Sequence, residues 1–83
     1  MPFSEDFLLQ VRRTAARFAA IPEGAVEPVP HTPVLIAHDA SRPGTMLFKI
    51  VGKGTTIVLV WEEPPGRVVW VQRRNVTVRV GAA

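Results

Sequence analysis

"GRVVWVQRRNVTVRV", residues 66–80, decides how the chain is read. RVVWV (67–71) and VTVRV (76–80) are dominated by β-branched residues and read as two strands. Between them stand Arg73, Arg74 and Asn75. Asparagine tolerates the backbone geometry that tight turns need. The segment therefore reads first as a corner between strands and second as a contact site. Asn75 is expected to carry the unusual backbone angles or to cap the turn with its side chain. Arg73 and Arg74 are neighbours, so their side chains diverge, and at most one of them lies back on the sheet.

Upstream, the same vocabulary recurs. VLIA (34–37), TMLFKIV (45–51) and TTIVLVW (55–61) are strand-like, separated by HDASRPG (38–44) and the GKG turn (52–54), and EEPPG (62–66) breaks the third sharply. Five short strands in so few residues predict a small barrel or a strongly twisted sheet. In strand count and spacing, residues 34–80 resemble the SH3-like barrel, whose last two strands join through one tight helical turn; VQRRNV has the length of that corner. The resemblance implies a fold and carries no function.

Residues 4–20 read as an amphipathic helix. Ser4 is a good N-cap, Phe3 and Leu8 match a hydrophobic staple, and Phe7, Leu8, Val11, Ala15 and Phe18 form one stripe. Ile21-Pro22 and Gly24 stop it. Residues 22–33, PEGAVEPVPHTP, hold four of the eight prolines and read as a stiff, extended connector that lies along the domain or reaches to a neighbour. The expected class is α+β in a single domain, 1–83: one helix, a connector, then a five-stranded SH3-like barrel or strongly twisted antiparallel sheet.

Composition bounds the function. The 83 residues are 47% hydrophobic, enough for a core, and contain no cysteine, which excludes disulfides and thiolate metal sites and suits a reducing, cytoplasmic setting. The start, MPFSEDFLLQ, lacks the basic and apolar regions of a signal peptide. No run approaches the roughly 18 apolar residues of a membrane span. The net charge of +3 is unevenly spread: residues 1–39 have three arginines against five carboxylates, and residues 40–83 have seven cations against two.

Little in the sequence supplies chemistry. GKGTT (52–56) echoes a phosphate loop, but position 47 is leucine where that pattern needs glycine, and a strand follows in place of a helix. His31, His38 and Asp39, with Ser41 nearby, have no metal-ligand spacing and do not make a triad merely by being near in sequence. Glu62 and Glu63 read as a solvated turn. No cofactor, metal or catalytic residue is expected, and the reading is non-enzymatic.

The strands pose the functional question. Ile57, Leu59 and Trp61 line one face of TTIVLVW, and Val58 and Val60 the other. In TMLFKIV, Met46, Phe48 and Ile50 oppose Leu47 and Val51; in RVVWV, Val68 and Trp70 oppose Val69 and Val71. Strands apolar on both sides are normally covered on both sides. One short helix leaves much uncovered, which predicts an interaction or assembly module. It is expected to be a homo-oligomer, or to bind another protein, through Phe7, Leu8, Val11, Phe18, Leu47, Val58, Val60, Val69 and Val71. The alternative is a small basic nucleic-acid-binding protein, with Lys49, Lys53, Arg67, Arg73, Arg74 and Arg79 on phosphates and Trp61 and Trp70 stacking on bases.

Overall fold

The structure, a computed structural model, describes residues 3–79. Helix α1, Glu5–Ala19, starts where expected: the Ser4 hydroxyl accepts from the Phe7 N–H at 3.1 Å. It ends on Ala20 in the left-handed conformation (φ 56°), which turns the Ile21 N–H back onto the Ala16 carbonyl at 3.0 Å. The chain then makes a 3-10 turn, Glu23–Ala25, and a two-residue strand β1, Glu27–Pro28. The proline-rich connector thus lies along the domain, and adds a short strand.

Five further strands follow: β2 Pro33–Ile36, β3 Pro43–Gly52, β4 Thr55–Glu62, β5 Arg67–Gln72 and β6 Val76–Val78. A 3-10 turn, Arg73–Asn75, joins the last two. The helical corner read from VQRRNV is therefore present, and residue 80 of the last predicted strand lies outside the described residues. All pairings are antiparallel, in the order β5-β4-β3-β2-β6, with β1 on the far half of β3. Of the two forms expected, barrel or antiparallel sheet, the sheet is the one found; it has six strands where five were expected and does not close, because β5 and β6 stand at opposite ends of the order and do not pair among the described residues.

Both sheet faces are apolar, and the chain covers both itself. On one face α1 packs Ala15 and Ala16 against Leu47, Phe48 and Leu59, with Phe3 and Val26 completing the cluster. On the other, the curled sheet brings Val34 and Ile36 of β2 and Val76 of β6 onto Met46, Val58 and Val60. Val69 and Val71 pack partly against this second cluster. A β-bulge between Met46 and Phe48 shifts the register of β3. Leu47 and Phe48, adjacent in sequence, therefore belong to the same cluster, whereas strict alternation puts them on opposite faces.

The surplus of apolar residues is thus largely consumed within the chain. Leu47, Val58 and Val60 were expected at an interaction surface and are instead fully buried in the chain's own core. The physical reason is curvature: a twisted sheet that folds over itself hides its second face without a second layer of helix.

Candidate functional site

Two ends of the β4–β5 hairpin use arginine differently. At the closing turn, Glu62 and Arg67 stand directly opposite each other in register. The Arg67 Nε donates to Glu62 Oε1 at 2.9 Å, and Arg42, one residue before β3, donates from Nε to Oε2 at 2.8 Å and from Nη2 to Oε1 at 3.2 Å. Glu62 is only 2% exposed, so the expectation of a solvated Glu62 turn residue is corrected: it is the buried centre of a three-residue clamp. The Arg42 hydrogen bond is the main cause, and Arg67 a further one, that holds its carboxyl down to about 2, against the opposing effect of burial. Arg67 is tied to this carboxylate through its Nε, with its side chain 57% exposed.

At the other end, the turn between β3 and β4 meets the corner after β5. Gly54, Thr55 and Thr56 line one wall of an open pocket of about 340 Å³, and Gln72, Arg73 and Arg74 line the other. Arg74 Nε donates to Gln72 Oε1 at 2.7 Å, which orients its guanidinium. Among the described residues neither Arg73, Arg74 nor Lys53 makes an ion pair. The six cations expected on one phosphate-binding face are thus divided. Lys53, Arg73 and Arg74 sit at this end. Lys49 lies 4.0 Å from Glu27, Arg67 is in the Glu62 clamp, and Arg79, following β6, has a buried Nε with no hydrogen-bond partner among the described residues.

Asn75 does not carry the corner. Among the described residues the non-glycine positions with positive φ are Ala20, Ala37 and His38, and Asn75 makes no side-chain hydrogen bond. The turn is closed by backbone, Val76 N–H to the Arg73 carbonyl. A 3-10 turn needs no left-handed residue, which is why the asparagine is not used for one.

The tryptophans also part company. Trp61 packs edge-on against Phe3 and Phe7, with centroids 6.2 and 5.5 Å away, and belongs to the helix-side core. Trp70 is 40% exposed and meets Phe18 edge-on at 5.4 Å. Phe18 was expected in the packed stripe of α1, but it is 82% exposed. Phe7, Leu8 and Val11 do pack partly against the core, while Ala15 and Ala16 make the close approach to the sheet. Beside the Phe18–Trp70 pair an open groove of about 450 Å³ runs between α1 and the sheet, lined by Phe7, Gln10, Val11, Thr14, Ala15, Leu59, Val68 and Trp70, none of them charged.

The remaining motif residues have local roles. Asp39 accepts from the Ser41 N–H at 2.9 Å and the Ser41 hydroxyl at 2.7 Å, which lowers its carboxyl's pKa. His38 Nδ1 lies 2.6 Å from Thr77 Oγ1, and His31 stands edge-on to Phe3. No group of three metal-ligating side chains converges among the described residues, and no helix there is long and apolar enough to cross a membrane. Sequence reasoning missed Arg42 and the burial of Glu62; the hairpin register, which sets Glu62 opposite Arg67 across a four-residue turn, was the readable signal for half of that clamp. Compared with protein-family models, curated proteins and solved structures, the chain has no significant match.

Proposed function

We propose that the protein is a non-enzymatic assembly module that pairs with a second copy of itself along β5. The observation that carries this reading is the exposure of Phe18 and Trp70 together, beside a strand whose outer edge is free. β5 pairs with β4 alone, and no backbone hydrogen bond among the described residues reaches its other edge. A free edge is a template for another strand, and aromatic side chains at its rim supply apolar area at small entropic cost.

Charge favours one arrangement. Antiparallel pairing about a two-fold at Val69 sets Trp70 of each copy across from Val68 of the other, both on the helix side of the sheet. It carries Arg73 and Arg74 of one copy toward the Pro64–Pro65 turn and the exposed Glu63 of the other, and keeps the two arginine pairs apart. The uncharged groove beside Trp70 adds no repulsion. Such an isologous contact closes on itself as a dimer.

Light scattering coupled to size exclusion should give a dimer mass that falls toward monomer on dilution. Trp70→Lys places charge on the edge and should give a monomer with an unchanged far-ultraviolet spectrum; Phe18→Ser should weaken the dimer less. A monomer at every concentration overturns the reading, as does a dimer that survives Trp70→Lys in a folded protein.

A further inference from the structure

The turn after β3 and the corner after β5 are separated in sequence and adjacent in space. Their meeting makes a pocket lined by two arginines that have no ion pair among the described residues. We propose that this pocket, between Gly54-Thr55-Thr56 and Gln72-Arg73-Arg74, binds the phosphate group of a small phosphate ester.

The donor set fits that chemistry. Two guanidinium groups offer planar, paired N–H donors that match phosphate oxygens, and the Gln72 contact at 2.7 Å leaves both terminal nitrogens of Arg74 available. Thr55 and Thr56 also line the pocket. Gly54 has φ +74°, and nothing lies within 4 Å of where its Cβ would be, so backbone is open to close approach at that wall. The cradle differs from a phosphate loop in its architecture: the glycine turn leads into a strand, and the second wall comes from the corner after β5.

Electrostatics points to the same place. The chain has ten cationic side chains and seven carboxylates. Setting Lys53, Arg73 and Arg74 aside leaves seven of each, so these three equal the whole formal excess. The carboxylate clamp at the opposite end of the hairpin takes up Arg42 and Arg67, and Glu27 stands near Lys49. Among the described residues Arg12, Arg17 and Arg79 also make no ion pair, but Lys53, Arg73 and Arg74 are three such cations gathered at one end of the hairpin. A local charge suits a single phosphate group better than a long polyanion.

The test is a titration of the full chain with inorganic phosphate, followed by backbone amide chemical shifts, against sodium chloride at matched ionic strength. Saturable shifts should centre on Gly54, Thr55, Thr56, Arg73 and Arg74. Arg73→Ala and Arg74→Ala should each weaken binding about tenfold, the effect of losing a charge-assisted hydrogen bond, while Arg67→Ala should leave it unchanged. The same titration on Trp70→Lys should give wild-type binding, which separates this site from the β5 edge. A second arm uses a short single-stranded oligonucleotide. The proposal expects contact at the same amides with a salt slope no steeper than about −2, that of three phosphates. Shifts that match chloride, or that survive both arginine variants, overturn it. A steeper slope, with shifts spreading to Lys49 and Arg79, overturns it in favour of an extended polyanion surface.

Discussion

The two ends of the β4–β5 hairpin each gather arginines, and one carboxylate makes the difference between them. At the closed end Glu62 binds Arg42 and Arg67 and is buried by them. At the open end Arg73 and Arg74 have no carboxylate partner among the described residues and line a solvent-accessible pocket. The same residue type is tied to a buried carboxylate at one end and lines an open pocket at the other. Counting arginines along the sequence does not distinguish them; the partner across the strand pair does.

The closed end should be the fragile one. Gly44 lies opposite Glu62 in register, and a Cβ there would sit 2.6 Å from the Trp61 carbonyl oxygen and 2.6 Å from Val60 Cγ1. Gly44→Ala should therefore produce the largest loss, about 3 kcal/mol in denaturant melts, the upper part of the usual overpacking range. A loss well below about 1 kcal/mol would mean that β3 yields easily at this point.

Glu62→Gln should come next. It leaves two arginines facing a neutral amide and should lower the melting temperature clearly more than either Arg73→Ala or Arg74→Ala. The acid limb sharpens the contrast. Glu62 titrates at about 2 in the fold against an ordinary 4.5. Because its folded value is depressed, the stability it contributes is fully present above about 4.5 and is lost as pH falls through about 2. Glu62→Gln should flatten that part of the pH–stability profile. An unchanged profile would show that the clamp does not hold in solution.

Smaller effects test the helix end and the corner. Ala20 occupies a left-handed position that costs a side chain energy, so Ala20→Gly should stabilise by about 1 kcal/mol in the same melts. Arg73→Ala, Arg74→Ala and Asn75→Ala should each change stability by less than about 0.5 kcal/mol, as exposed positions do, the Arg74 bond to Gln72 being itself exposed. If Asn75→Ala proves as costly as Glu62→Gln, the corner is held by the Asn75 side chain and not by the Val76 N–H bond to the Arg73 carbonyl.

Local patterns determined the elements. The cap at Ser4, the β-branched runs, the glycine turn at 52–54 and the helical corner at 73–75 are properties of a few neighbouring residues, and each stands where those residues place it. The α+β class and antiparallel sheet follow from their order. What covers the sheet was decided by tertiary structure alone. Val58 and Val60 alternate with Leu59 in any extended chain, but whether their face meets solvent, a partner or the chain's own β2 and β6 depends on curvature and on the bulge at Met46–Phe48, neither of which is encoded in a two-residue period. The same holds for charge. Arg42 and Glu62 are twenty positions apart, and Gly54 and Arg74 equally so. Side-chain interactions act over a few ångströms, so which arginine is neutralised and which stays free is settled only when the fold brings distant residues within that reach.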